Sequence, residues 1–163
     1  MPVPDTLAGR LLRHARDQPE RVAFRIAATG EDIRFGDLVA RASSLARRLP
    51  GPPAEVAIAC ERPSDFVVAL AACFLSGNAA VPLPVALSRR SAPRAGAILA
   101  LAGPRFAIVG PTAADWLLAL LAERQITAIA LNAAPGEDPP PASAAVTPDT
   151  AALVQFASGS TGD

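Results

Sequence analysis

Glu55 to Pro84 reads EVAIACERPSDFVVALAACFLSGNAAVPLP, and its three segments decide the fold class. Val56 to Cys60 is a short apolar run. Ser64 is placed to cap a helix that continues through Leu75, Gly77 ends it, and Ala79 to Val81 is the next strand. That helix is apolar all round, so it needs cover on more than one side. Strands without a polar face, joined by a helix, read as a parallel βαβ unit, because parallel strands are covered on both faces and need a crossover of a dozen or more residues.

The alternation continues downstream. Ser91 with Pro93 opens a helix to about Ala102, and Phe106 to Val109 is a strand. Thr112 and Asp115 form a capping-box-like pair opening a helix to Arg124, and Ile126 to Leu131 is the next strand. Upstream, Leu7, Leu11, Leu12 and Ala15 recur at helical spacing, which predicts a helix from Thr6 to Asp17, capped by Asp5 or Thr6 and closed by Pro19. Val22 to Ala27 and Asp32 to Phe35 suit a short hairpin around Thr29-Gly30. Gly36 to Leu49 places Leu38, Ala42, Leu45 and Leu49 on one helical face, with Asp37 in the first turn and Arg47 and Arg48 in the last, as the helix dipole favours. The expected fold is α/β: a mostly parallel, doubly wound sheet with helices on both faces. Residues 1–131 form one α/β subdomain, 132–150 a Pro/Ala-rich surface loop, and 151–163 a strand with a terminal loop.

That last segment reads AALVQFASGSTGD from Ala151 to Asp163. An apolar strand runs into Ser158, Gly159, Ser160, Thr161 and Gly162. The two glycines let the backbone turn tightly so that successive N–H groups point into one concavity, with three hydroxyls among them. Such a loop is shaped to hold phosphate oxygens. It has no lysine, so it is not a P-loop of the Gly-Lys-Ser/Thr type. Taken alone, a flexible Ser/Gly linker is the alternative. In open α/β sheets ligands bind at the carboxyl ends of strands, and the loop follows such an end.

An apolar strand ending in Gln-Phe and entering Ser-Gly-Ser-Thr-Gly resembles the ATP-phosphate loop of the adenylate-forming enzymes: acyl-CoA synthetases, fatty acyl-AMP ligases and peptide-synthetase adenylation domains. Thr6 to Phe24, Ile33 to Leu49 and Glu55 to Pro84 resemble, in order, the opening helix and strand of that family, its aromatic-x-Asp/Glu-Leu helix, and the strand, helix and Val-Pro segment that follow. The family's loop usually continues through one variable residue into Pro-Lys-Gly, and here it stops at Asp163. Where the family has Thr or Ser, this chain has Ala157.

The resemblance implies attack of a carboxylate on the ATP α-phosphorus, release of pyrophosphate and acyl transfer to a thiol. Ser158, Gly159, Ser160, Thr161 and Gly162 would hold the ATP phosphates, with Mg²⁺ neutralising the remaining charge in the full-length parent. The expected substrate is a carboxylic, and by resemblance a fatty, acid, because Val81 to Pro84, the Ser/Arg/Pro segment after it and Val154-Gln155-Phe156 look most like fatty acyl-AMP ligases. The acceptor is an acyl carrier protein or CoA, and acyl-CoA synthetase is the alternative parent. The resemblance assigns no catalytic or metal-binding residue to this chain, so the fragment alone is expected to be inactive. A non-catalytic interaction module derived from such a ligase, or an unrelated α/β domain with a Ser/Gly tail, are the competing readings.

Composition sets further bounds. At 163 residues the chain fits one domain, and its fifteen basic residues balance fifteen acidic ones. That balance offers no electrostatic footprint for nucleic acid or an anionic membrane. Arginine carries all the side-chain positive charge apart from His14, since the chain has no lysine. The start, MPVPDTLAGRLLRHA, lacks a signal-peptide core, and the most apolar stretch, Phe66 to Leu87, is broken by Gly77, Asn78, Pro82 and Pro84, so no membrane span and a cytoplasmic location are expected. Cys60 and Cys73 read as buried reduced thiols. His14, flanked by Arg13 and Arg16, reads as a solvated side chain. The part of the parent sheet that is missing would leave apolar surface exposed and favour self-association.

Overall fold

In the computed structural model the described residues are 5–84, 89–131 and 146–156. Their elements run α1 (Leu7–Asp17), β1 (Val22–Ile26), β2 (Glu31–Arg34), α2 (Phe35–Ala46), β3 (Glu55–Ala59), α3 (Pro63–Ser76), β4 (Ala79–Pro82), a 3₁₀ turn (Arg89–Ser91), α4 (Ala92–Ala102), β5 (Phe106–Val109), α5 (Asp115–Glu123) and β6 (Thr127–Ala130). The hairpin β1–β2 is a separate antiparallel ribbon, and Gly30 turns it at φ 71°. The other four strands form a parallel sheet in the order β4-β3-β5-β6.

The alternation of side chains along each strand sorts the core into two layers. Val56 and Ile58 of β3, Ala80 of β4, Ile108 of β5 and Ile129 of β6 face the layer of α1, α2 and α3. Ala57, Ala59, Val81, Ala107 and Val109 face α4 and α5. The sheet is therefore doubly wound, with helices on both faces. α3 lies between sheet and α2, with Val68, Ala69, Ala72, Cys73 and Leu75 all at 2% exposure or less, which explains why it has no polar face.

Helix starts differ from the sequence reading. α3 begins two residues earlier, at Pro63, with Arg62 in place of Ser64 as N-cap and no side-chain cap. A proline at the first helical position has the required φ and no N–H to satisfy, so it sets the boundary. Ser91 is the N-cap of α4 but sits at φ −80° and ψ −11°, because the 3₁₀ turn runs straight into the helix, and its hydroxyl caps nothing. The Thr112/Asp115 box does not form: Ala114 is the N-cap of α5, and the turn closed by Ala113 N–H on Gly110 O at 3.2 Å places Thr112 outside the helix. Thr6 does cap α1, accepting from Gly9 N–H at 3.0 Å. α2 stops at Ala46, so Arg47 and Arg48 lie beyond its last turn, and Arg48 instead donates to Ala130 O of β6 at 2.8 Å.

Gly77 and Gly103 close α3 and α4 in the left-handed region, at φ 74° and 62°. A Cβ on Gly77 would lie 3.2 Å from Pro52 Cβ and 3.3 Å from Val146 Cγ2, whereas one on Gly103 would meet nothing within 4 Å. Gly103→Ala therefore isolates the backbone cost, about 1 kcal/mol, and Gly77→Ala adds crowding for a loss of roughly 2 kcal/mol. Urea unfolding of the two variants should rank them in that order.

Candidate functional site

The Ser158 to Gly162 loop lies outside the described residues; the segment that delivers it does not. Residues 151–156 run alongside β4, joined by a parallel bridge between Ala80 and Leu153. Ala80 N–H donates to Ala152 O at 3.0 Å and Val154 N–H donates to Ala80 O at 2.8 Å. Val154 and Phe156 pack against the α4/α5 layer, while Leu153 remains 46% exposed. A parallel neighbour of β4 points its carboxyl end the same way as the other strands. Phe156 thus arrives on the edge of the sheet where β3, β4, β5 and β6 also end.

The winding reverses at β3 and β5, since β3 leads to β4 on one side through α3, and β4 leads across to β5 through α4. Such a reversal opens a crevice at the carboxyl ends. Here Gly110 N–H closes onto Ala59 O at 3.1 Å. Beside it, Asp65 in the first turn of α3 is 2% exposed. Its Oδ1 lies 3.7 Å from Arg41 Nη2 and its Oδ2 3.9 Å from Arg62 Nε. Both separations exceed hydrogen-bond length, and Asp65 Oδ2, Arg41 Nε and Glu61 Oε1 are buried without hydrogen-bond partners. Sequence reading missed this charged cluster, because Ser64-Asp65 reads as ordinary helix-start polarity and its partner Arg41 belongs to a different helix.

At the opposite end of the sheet, Asn78 is 1% exposed. Its Oδ1 accepts from Ala54 N–H at 3.0 Å, and its Nδ2 donates to Pro50 O and Ser76 Oγ at 3.0 Å each. Two cavities of about 250 and 400 Å³ open at this end, both bordered by Gly77 and Thr150. Neither of these two hollows lies at the end of the sheet towards which residues 151–156 lead.

His14 is half-buried and stacks on Phe35 with ring centroids 4.8 Å apart. It joins α1 to the start of α2, a packing role in place of the expected solvated one. Cys60 and Cys73 are free and buried. Burial pushes both thiols up from 9.0 to about 12, with the Asp65 charge adding to it for Cys60 and the neighbouring Cys60 for Cys73. No helix among the described residues is long and apolar enough to cross a membrane. Because the folded protein holds its thiol protons above the unfolded range, the stabilisation is complete below about pH 8.5 and is lost as pH rises towards 12. Native protein at pH 8 should react with a thiol reagent at least about a hundredfold more slowly than urea-unfolded protein; similar rates would show the thiols to be accessible.

The profile of the AMP-binding enzyme family matches residues 11–163. Nonribosomal peptide synthetase atnA of Emericella nidulans is 30% identical over 99% of this chain, which spans 2% of that protein. Phosphinothricin tripeptide synthetase PhsB of Streptomyces viridochromogenes is 38% identical over 50% of this chain, 7% of its own length. Among solved structures, apo MatB from Rhodopseudomonas palustris superposes with a TM-score of 0.73 at 23% identity, over 96% of this chain and 32% of that one. The chain thus spans a small part of the proteins it matches. Its sequence match and its doubly wound sheet together show that it belongs to the AMP-binding enzyme family.

Proposed function

We propose that the chain is the amino-terminal part of an ATP-dependent ligase that activates a carboxylic acid as its acyl-adenylate for transfer to a thiol. The observation that supports this reading is the parallel bridge between Ala80 and Leu153, which sets residues 151–156 alongside β4 and heading towards the carboxyl ends of the sheet. In this proposal Ser160 and Thr161 donate hydroxyl hydrogen bonds to the β- and γ-phosphates. Gly159 and Gly162 keep Cβ atoms out of the concavity, and Ser158 shapes its entry. Mg²⁺ supplies charge neutralisation when bound. Substrate carboxylate, adenine and thiol are held by chain that the relatives carry beyond this segment, and residues 132–150 remain, in this reading, a connecting loop between the subdomain and the loop strand.

The acid is proposed to be fatty on the resemblance of Val81 to Pro84 and of Val154 to Phe156, with a carrier protein or CoA as acceptor. A second reading, an amino acid, is favoured by the two peptide synthetases among the relatives. A protein titrated with both acid classes in an adenylation assay distinguishes the two.

The test of the main reading is a chimera continuing this chain into the remainder of MatB. Relative to that chimera, Gly162→Val should lower adenylation at least about tenfold, or roughly 1.4 kcal/mol of transition-state stabilisation, while the present chain alone catalyses no carboxylate-dependent exchange of pyrophosphate into ATP. Undiminished adenylation in folded Gly162→Val protein would make the segment a linker. The chain alone should also self-associate through exposed apolar side chains such as Leu101, at 74% exposure, and Leu153, at 46%. A monodisperse monomer in light scattering at high concentration would exclude that.

A further inference from the structure

The Val-Pro-Leu-Pro run at the end of β4 has a geometric role in how the loop strand is held. Odd-numbered residues there donate towards β3: Ala79 N–H to Ala54 O and Leu83 N–H to Ile58 O, each at 2.9 Å. Even-numbered residues face the other neighbour, since Ala80 exchanges both of its bonds with residues 152 and 154. The same alternation directs position 82 at the 151–156 segment, and position 82 is proline, which has no N–H to give. In a parallel ladder the next bond after those of Ala80 would run from residue 82 N–H to Val154 O, and the one after it from Phe156 N–H to residue 82 O. Neither is present among the described residues, and the pairing is reduced to one isolated bridge. Pro84 repeats the omission two residues on. Leu83, between the prolines, keeps the N–H that β3 needs.

We propose that Pro82, seconded by Pro84, is a positioning residue that ends the ladder after Ala80, so that the chain is no longer hydrogen-bonded to β4 beyond Val154 as it approaches the proposed phosphate loop. The first half of this claim stands on hydrogen bonding alone. The second rests on the phosphate-loop reading above. The prolines sit where they remove donors facing the loop strand and none facing β3, so β3–β4 pairing, which runs from Glu55↔Ala79 to Ile58↔Pro82, is kept while the outer pairing is cut short.

Residue-resolved amide exchange of this chain tests the first half. In Pro82→Ala the amide of Phe156 should exchange at least about tenfold more slowly than in the parent, and the amide introduced at position 82 should be protected to a similar degree, with Leu83 unchanged as the control that β3–β4 pairing persists. A general change in stability would move all three amides together. Unchanged Phe156 exchange with Leu83 still protected overturns the proposal, as does a parent Phe156 amide already protected as well as Val154. If Pro82→Ala loses Leu83 protection, Pro82→Val, better suited to a strand, gives the same comparison. In the MatB chimera, Pro82→Ala should then raise KM for ATP about fivefold or more and leave KM for the carboxylate unchanged. Slower exchange with KM for ATP unaltered overturns the loop-positioning half. A failure of Gly162→Val to reduce adenylation would instead overturn the phosphate-loop reading itself.

Discussion

β3 is hydrogen-bonded along both edges and buried on both faces, and the rest of the structure is arranged to make that possible. Val56, Ala57 and Ile58 have no exposed surface and Ala59 has 1%. Fully burying a valine or isoleucine side chain contributes about 1.5–3 kcal/mol, but only if helices cover the sheet on that side. One helix layer cannot do this for residues that alternate between faces. The crossover from β3 to β4 therefore covers one face with α3, and the crossover from β4 to β5 covers the other with α4. The reversal of winding at β3 and β5 is the consequence.

The two layers are unequal in how they are filled. On the side of α1, α2 and α3 the sheet offers Val56, Ile58, Ile108 and Ile129, and an almost wholly apolar α3 is held between it and α2. On the side of α4 and α5 it offers mainly Ala57, Ala59 and Ala107, with Val81 and Val109, and larger side chains come from the helices, among them Leu99, Leu117 and Leu121. Val154 and Phe156 join this second layer. Residues 151–156 are thereby held by side-chain packing as well as by two backbone bonds at Ala80, each contributing on the order of 1 kcal/mol. Two backbone bonds and partial burial tie this segment to the sheet more lightly than any of its four strands is tied.

Buried polarity is concentrated at the two ends of the sheet. Asn78 ties Pro50, Ala54 and Ser76 together at the amino ends, where its amide oxygen and nitrogen both find protein partners. Asp65 at the carboxyl ends sits between Arg41 and Arg62 at distances too long for direct hydrogen bonds. An ion pair with that geometry is weakly stabilising at best, because desolvation of a buried carboxylate offsets much of the attraction.

The order of strands and helices, the apolar character of α3, its stop at Gly77 and the hairpin turn at Gly30 could all be read from the chain. Each depends on local periodicity or on backbone conformations that only glycine adopts easily. The family was legible in the Ser-Gly-Ser-Thr-Gly run of Ser158 to Gly162 for a similar reason: the residues that carry the resemblance stand together in sequence. Tertiary structure alone decided the strand order β4-β3-β5-β6 and the pairing of His14 with Phe35 and of Arg41 with Asp65. It also decided which edge of β4 the prolines face. Those features pair residues far apart in the chain, and local pattern records how deeply a residue is buried without recording what buries it.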